Sequence, residues 1–242
     1  MALLDEQDAY GRLLLDAFEG DRAVEVVERD DGFLMGSAAA PANYFAPFRA
    51  WPAHQRQAMR LVRGRVLDVG CGAGRVALHL QQRGQEVVAI DLSPLAVEVS
   101  RRRGVRDARV LSIAEVDQRV GPIDTIVMMG NNFGLFGSRR RAKRLLRRFN
   151  SIGSDRRRVV AEVLDPSATD YPDHLSYHER NRQRGRMPGQ LRIRIRHRHC
   201  TTPWFDYLFV SPAELEALVE GTGWSLRRTI PSSGGLYVAV LE

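Results

Sequence analysis

A glycine-rich turn between an apolar strand and a helix is the part of this sequence best suited to chemistry. A mainly apolar strand, residues 66–69, runs into Gly70, Gly72 and Gly74, and a helical pattern follows at once. Glycine lets the backbone turn sharply and approach a ligand without Cβ interference, and the helix start offers free N–H groups. The spacing is G-x-G-x-G, not the G-x-G-x-x-G of dinucleotide-binding proteins. The turn therefore predicts a different small ligand.

Two aspartates accompany this turn. Asp68 lies two residues before Gly70, where a carboxylate repels a pyrophosphate but suits a ligand that carries an ammonium or a sulfonium. Asp91 ends the next strand, 23 residues later, where an acid can accept hydrogen bonds from a ribose diol. The alternative is a turn without a ligand. It is disfavoured because two unpaired carboxylates destabilise a buried site.

Alternating strand and helix patterns surround these residues from residue 65 onward. Continuous apolar runs such as IDTIVMMG are typical of strands covered on both faces. Repeated βα units predict an α/β fold with a doubly wound, Rossmann-like parallel sheet. Residues 1–60 are predicted to form a helical and β-hairpin cap, and residues 61–242 the main domain. Residues 166–190 show no clear periodicity and are expected to be a long loop within a β insertion at about 166–210, before the final helix.

The turn and the two aspartates closely resemble class I S-adenosylmethionine (SAM)-dependent methyltransferases. VLDVGCGAG is similar to motif I of that family, and VVAIDLSP to its second strand with the ribose-binding acid. The resemblance implies a seven-stranded sheet whose last strand is antiparallel, with SAM as methyl donor and S-adenosylhomocysteine as product. It also implies a set of cofactor-binding residues: Asp68, Gly70, Cys71, Gly72, Gly74, Asp91, Leu92, Ala114, Glu115, Met129 and Gly130. The usual acid after the third strand is replaced by Ser112-Ile113.

The segment after the fourth strand bears on the methyl acceptor. Methyltransferases of base amines typically carry (Asp/Asn)-Pro-Pro-aromatic there, whereas this chain has Asn-Asn-Phe-Gly at 131–134, which is similar to small-molecule methyltransferases. The resemblance implies a small-molecule acceptor. For Phe133 and Phe136, which belong to this segment, the alternative to a role toward the acceptor is a role in packing. The candidate catalytic residues are Tyr44, Asn131, His174 and His178, and each has a structural role as its alternative, as do His197 and His199.

The composition and charge of the chain leave two alternative functions open. The chain has 242 residues and a formal net charge of +7, and Lys143 is the single lysine among 36 basic residues. Arginine-rich stretches at 180–186 and 192–198 keep an RNA acceptor as an alternative, and a SAM-binding module without turnover is another. The basic helix at 139–148 is interpreted as a solvated surface.

Signals for other locations and ligands are weak in this sequence. No apolar run approaches the ~20 residues that span a bilayer, so no membrane partner is expected. The acidic N-terminal residues 1–21 do not resemble a targeting peptide. Cys71 and Cys200 lack the spacing of a zinc site or a disulfide framework. The sequence thus predicts a cytoplasmic protein without a bound metal.

Overall fold

The computed structural model describes residues 3–242. These residues form eight α-helices: α1 (Ala9–Glu19), α2 (Ala40–Asn43), α3 (Ala53–Met59), α4 (Arg75–Gln82), α5 (Pro94–Arg102), α6 (Arg139–Ile152), α7 (Pro172–Gln183) and α8 (Pro212–Val219). They also form twelve strands: β1 (Glu25–Arg29), β2 (Leu34–Ser37), β3 (Val66–Val69), β4 (Val87–Asp91), β5 (Ala108–Val110), β6 (Ile123–Met128), β7 (Gly153–Leu164), β8 (Gln190–His197), β9 (Cys200–Thr201), β10 (Phe205–Leu208), β11 (Leu226–Pro231) and β12 (Leu236–Leu241).

Seven of the strands form a mixed sheet in the order β11-β12-β7-β6-β3-β4-β5. Neighbouring strands β3, β4 and β5 are parallel, as are β6 and β7, whereas β12 is antiparallel to both β7 and β11. The expected seven-stranded Rossmann-like sheet with an antiparallel last strand is confirmed.

Two compact units make up the chain. The first contains Trp51 and the described residues before it, Arg65–Val116 and Arg192–Phe205. The second contains Pro52–Gly64, Asp117–Leu191 and Asp206–Glu242. The division that the sequence predicts after residue 60 stays a prediction.

Apolar strands and well-capped helices build the first unit. All four residues of β3 are buried, as are Val87–Ile90 of β4. Helix α5 begins where the Ser93 side chain accepts a hydrogen bond from the Ala96 N–H, with Pro94 as its first residue. Because both strands end beside helix starts, their last residues are held at one edge of the sheet.

A second, antiparallel sheet in the first unit joins distant parts of the chain. Strand β1 pairs with β2, which forms the β-hairpin predicted within residues 1–60, and also with β8, where Val27 lies opposite Ile195. Nothing local in the sequence indicates this second pairing, because hydrophobic alternation gives a strand its faces but not its partner.

The second unit is centred on β6 and β7. Ile126–Met128 and Val159–Val163 are buried, and Phe133, Phe136 and Phe149 pack as one aromatic cluster with ring centroids 4.8 and 5.8 Å apart. Phe133 and Phe136 therefore have the packing role that the sequence allowed as their alternative. No helix among residues 3–242 combines the length and apolarity needed to cross a bilayer.

The expected long loop at 166–190 is wrong for residues 172–183, which form α7. The residues that α7 buries are Tyr177, His178 and Asn181, and the Asn181 side chain donates hydrogen bonds to the backbone carbonyls of Pro188 and Gln190. Because these buried residues are polar or amphipathic, the helix has no apolar stripe for periodicity to detect.

Gly74→Ala should destabilise the protein more than Gly84→Ala. Both glycines have positive φ, +76° and +80°, so alanine costs about 1 kcal/mol at either position. A Cβ at Gly74 would also lie 2.6 Å from Val105 and 2.8 Å from the Ser100 hydroxyl, whereas Gly84 has nothing within 4 Å. Urea unfolding should give a loss of about 2–4 kcal/mol for Gly74→Ala. Equal losses for the two variants would contradict this account of the turn.

Candidate functional site

The glycine turn has the backbone geometry that the sequence predicts. Gly70, Gly72 and Gly74 have φ values of +72°, +52° and +76°, which L-residues with a side chain rarely adopt. The N–H groups of Gly70 and Cys71 donate to the Ile90 carbonyl, so the turn is tied to β4. The N-cap residue of α4, Gly74, has no side chain to cap the helix, and the Asp68 carboxylate accepts a hydrogen bond from the Ala77 N–H in its first turn.

Asp68 is a buried carboxylate whose environment disfavours its charge. It is 2% exposed, and its Oδ2 has no hydrogen-bond partner among residues 3–242. Burial raises the pKa of Asp68 to about 7, and the nearby Asp91 carboxylate acts in the same direction. A cationic group placed beside this oxygen would restore the charge and satisfy the oxygen.

Asp91 is held at the end of β4 by two backbone groups. Its Oδ2 accepts from the Gly72 N–H over 2.9 Å and its Oδ1 from the Ser93 N–H over 3.0 Å. Burial raises the pKa of Asp91, and these two hydrogen bonds partly offset the effect. Each oxygen keeps a further lone pair for a hydroxyl donor. The next residue, Leu92, is 39% exposed and presents an apolar surface beside the carboxylate.

The other expected cofactor residues differ in placement. Ala114 and Glu115 follow β5 in a turn held by Ser112, whose hydroxyl accepts from the Ala114 N–H. Glu115 is exposed. Met129 and Gly130 follow β6 in the second unit, where Met129 is buried and Gly130 is exposed with φ +72°.

Cys71 has no nucleophilic character in this turn. Burial raises the pKa of its thiol well above the usual value, and Asp91 and Asp68 raise it further. The thiol is therefore neutral and fills space next to Ser100.

A cluster of two tyrosines and a glutamate lies next to the glycine turn in the first unit. The Tyr10 hydroxyl lies 3.2 Å from the position of a Cβ built at Gly72, and the Tyr10 ring meets the Tyr44 ring edge to face, with centroids 5.5 Å apart. Tyr44 donates its hydroxyl proton to Glu25 Oε2 over 2.8 Å. Burial raises the pKa of Glu25, while the hydrogen bond from Tyr44 lowers it. The structure thus places Tyr44, one of the candidate catalytic residues, close to the glycine turn.

Helix α1 is fixed in this position by Asp8. The Asp8 Oδ2 atom accepts from the Ser93 hydroxyl over 2.9 Å and from the Leu95 N–H over 3.1 Å. Sequence reasoning missed Asp8, Tyr10 and Glu25. The only local signal is the position of Asp8 as the N-cap of α1, where its Oδ1 accepts from the Gly11 N–H.

Asn131 belongs to a separate polar cluster in the second unit. Its N–H donates to Glu162 Oε2, its carbonyl accepts from the Tyr207 hydroxyl, and its side-chain Oδ1 is buried without a partner. Glu162 Oε1 also accepts from His54 over 2.5 Å and from Gln55 over 2.8 Å. Burial alone would raise the pKa of Glu162, but the hydrogen bonds from His54 and Gln55 hold it below its usual value. Sequence reasoning also missed Glu162 and His54, because 108 positions separate them in the chain.

The other candidate histidines have structural contacts. His174 on α7 contacts the Thr169 hydroxyl, and His178 on the same helix is buried. His197 bridges the Val24 carbonyl and the Asp16 carboxylate, which accounts for it as a structural residue. His199 lies beyond the end of β8 and is exposed, so it does not share the buried face expected for it. Within residues 3–242 no three His, Cys, Asp or Glu side chains are placed to hold a metal ion.

Comparisons with known proteins agree with this geometry. Residues 66–152 match the model of a methyltransferase domain family. A ubiquinone biosynthesis O-methyltransferase of Xanthomonas oryzae pv. oryzae is 37% identical over 75 residues, and a magnesium-protoporphyrin O-methyltransferase of Rhodobacter capsulatus is 33% identical over 69 residues. These alignments cover 28% and 27% of this chain, and the chain spans 31% of each relative's length.

One solved structure is similar over the whole chain. It is a SAM-dependent methyltransferase from Bacteroides fragilis in complex with S-adenosyl-L-homocysteine. The TM-score is 0.84 at 26% identity, and the superposition covers 100% of this chain and 97% of that one.

The match over residues 66–152 and the similarity of the whole fold confirm the resemblance to class I SAM-dependent methyltransferases that the sequence shows. The residues of the first unit fit SAM. The unpartnered Asp68 oxygen suits an ammonium, the free lone pairs of Asp91 suit a diol, and the exposed Leu92 suits a flat base.

Asp68→Asn should stabilise the protein at pH 8. The pKa of Asp68 is about 7 in the folded protein against an ordinary 3.8. Between about pH 4 and pH 7 the carboxyl ionises in the unfolded chain but not in the folded protein, so the free energy of unfolding falls as the pH rises through this range. A shift of this size corresponds to ~4 kcal/mol. Asparagine should recover about 2 kcal/mol of it, because its own amide needs partners. Urea unfolding at pH 8 and pH 5 should show the gain only at pH 8. A variant less stable than the wild type at pH 8 would refute the buried charge.

Proposed function

We propose that this protein transfers a methyl group from SAM to a small-molecule acceptor. The observation that carries the proposal is the pair of carboxylates, Asp68 and Asp91, at neighbouring strand ends beside the glycine turn. SAM supplies an activated methyl group on a sulfonium sulfur.

In this proposal the first unit holds the donor. Asp68 Oδ2 accepts from the ammonium, and the positively charged partner returns the Asp68 pKa toward its ordinary value. Asp91 accepts from the ribose hydroxyls with the lone pairs that its two backbone hydrogen bonds leave free. Leu92 packs against one face of the adenine, with Ala114 and Glu115 at its edge.

The tyrosine cluster supplies the groups that handle the acceptor. Tyr44 donates its hydroxyl proton to Glu25, so this hydroxyl connects Glu25 to the place of the acceptor beside the glycine turn. Glu25 has a raised pKa, which makes it a stronger base than an exposed carboxylate. The proton that leaves the acceptor can then pass through the Tyr44 hydroxyl to Glu25.

Two observations support a small molecule as the acceptor. Asn131–Gly134 lacks the signature of enzymes that methylate base amines. The partial-length relatives carry names of O-methyltransferases in ubiquinone and magnesium-protoporphyrin metabolism.

Asp91→Ala should abolish binding of S-adenosylhomocysteine, because a ribose held by two hydrogen bonds loses both. Isothermal titration should show a weakening of roughly a hundredfold or more, since hydrogen bonds to a charged group contribute about 1.5–3 kcal/mol each. The exposed Asp170 provides the matched control, and Asp170→Ala should bind as the wild type does.

The same proteins are then incubated with methyl-labelled SAM and the low-mass fraction of a cell extract. The wild type and Asp170→Ala should label a compound in that fraction, and Asp91→Ala should not. Binding without labelling by the wild type would favour a SAM-binding module without turnover. Labelling of RNA instead of the low-mass fraction would favour the RNA acceptor. Unchanged affinity in Asp91→Ala would refute the donor site.

Tyr44→Phe should lower turnover and leave the donor affinity nearly unchanged. The substitution keeps the ring contact with Tyr10 but removes the hydroxyl that links the acceptor to Glu25. The labelling rate should fall roughly ten- to a hundredfold, while titration with S-adenosylhomocysteine gives the wild-type affinity. Tyr171→Phe, at a tyrosine that is 50% exposed, is the control and should keep the wild-type rate. A full rate in Tyr44→Phe would remove the cluster from the reaction.

A further inference from the structure

Helix α6 is the most strongly charged element of the second unit. Its fourteen residues, RRRAKRLLRRFNSI, hold six arginines, one lysine and no acid. The apolar face of α6 is buried through Ala142, Leu145, Leu146, Phe149 and Ile152, so the basic residues share the opposite side. A codon bias toward arginine would add arginines throughout the chain, but it would not remove acids from this one helix.

Two of these basic side chains have a structural task. Lys143 Nζ donates to the Glu220 carbonyl and Arg147 Nε to the Gly221 carbonyl, both just beyond the end of α8. Cations are stabilising at that end of a helix. These contacts explain two of the seven charges.

The remaining charge is poorly compensated. Arg139, Arg140 and Arg144 are exposed, and none of them pairs with a carboxylate among residues 3–242. Arg139 and Arg140 lie in the first turn of α6, where the helix dipole disfavours a cation. Arg140 and Arg144 are also one turn apart, and such like-charge pairs are destabilising. Packing of α6 does not require this arrangement.

Arginines line two adjoining hollows at this helix. One, of about 400 Å³, is lined by Arg139, Arg140 and Arg186, together with Gly185 and Met187 among others. The other, of about 610 Å³, is lined by Ser138, Arg140, Arg141, Arg144 and Arg147. Ser138 and Arg140 line both. We name the combined surface the arginine groove, defined by Arg139, Arg140, Arg141, Arg144, Arg147 and Arg186.

Two acids lie near the groove and do not cancel its charge. Glu214 lines the first hollow, but its Oε2 accepts from the Ser211 N–H in the capping box of α8. Asp206 acts on Arg141, whose pKa is lowered by burial and by Arg144. The four exposed arginines on which the proposed binding depends are Arg139, Arg140, Arg144 and Arg186.

The arginine stretches that stand out in the sequence are different. Arg194 forms a two-pronged ion pair with Glu28, which Arg196 also contacts. Arg198 pairs with Asp16 and Asp21. Acids thus neutralise much of the stripe at 192–198, whereas Arg139, Arg140 and Arg144 of α6 have no such partner among residues 3–242.

We propose that the arginine groove binds a run of closely spaced phosphate groups, such as a nucleic-acid strand presents. Arg140 to Arg147 spans two turns of α6, about 10 Å, which is the axial length of three phosphate-to-phosphate steps of ~3.4 Å along one strand of a duplex. Guanidinium groups match phosphate oxygens with paired donors. This binding is independent of the donor site and of the proposed methyl transfer.

The test compares two triple variants with equal loss of charge. Arg139→Gln/Arg140→Gln/Arg144→Gln removes three uncompensated arginines of the groove. Arg102→Gln/Arg119→Gln/Arg182→Gln removes three exposed arginines that pair with Glu19, Asp117 and Glu179. Titration with S-adenosylhomocysteine should give the wild-type affinity for both, which shows that both are folded.

Binding is measured by fluorescence anisotropy with a labelled single-stranded RNA of about 12 nucleotides, at about 50 to 200 mM salt. The groove variant should bind roughly tenfold or more weakly, and its slope of log affinity against log salt should fall by about 2, since each lost phosphate contact contributes ~0.7. The control variant should stay within about twofold of the wild type.

Inorganic polyphosphate of similar length is the competitor that distinguishes the source of the phosphates. Equal displacement by polyphosphate supports the groove as a general phosphate site, and retention of RNA supports a nucleic-acid strand as its ligand. Absence of RNA and polyphosphate binding in the wild type, or equal losses in the two triple variants, would overturn the proposal.

Discussion

Burial of two carboxylates at adjacent strand ends is the constraint on which the rest of this structure depends. A carboxylate that leaves water without a partner costs free energy, and Asp68 carries that cost in its unpartnered oxygen and its pKa of about 7. Parallel strands make the arrangement possible, because β3 and β4 end at the same edge and the glycine turn brings a backbone N–H to Asp91. Asp68 thus keeps an oxygen without a hydrogen-bond partner at a position that suits a cationic nucleoside.

The N-terminal elements are part of this site and not an accessory to it. Asp8 fixes α1 to the start of α5, and this contact places Tyr10 over Gly72. Strand β1 contributes Glu25 to the same place, and its own position depends on pairing with β8. In the proposed function, donor binding and acceptor chemistry therefore depend on segments that are distant in the chain, which the hydrogen bonds of Asp8 and the pairing of β1 bring together.

Features written in a few consecutive residues could be predicted from the sequence. The glycine turn, the order of strands and helices, and the caps of α5 and α8 all follow from local rules, and so does the placement of Asp68 and Asp91. Features that join distant residues could not. The pairing of β1 with β8 and the contact of His54 with Glu162 depend on tertiary packing. Helix α7 could not be predicted because its buried residues are polar or amphipathic. The ion pairs of Arg194 and Arg198 could not be predicted either, because a sequence shows charges without their partners.

The antiparallel pairing of β1 with β8 has a consequence for synthesis of the chain. Strand β1 cannot pair with β8 until Ile195, which lies opposite Val27, has left the ribosome. At about 5–20 residues per second this delay is roughly 10 to 30 s, during which one edge of the β1–β2 hairpin has no partner strand. The exposed edge bears Glu25 and Glu28, and charged side chains of this kind discourage pairing with other nascent chains. The same acids that later contact Tyr44 and Arg194 thereby protect the unfinished protein during translation.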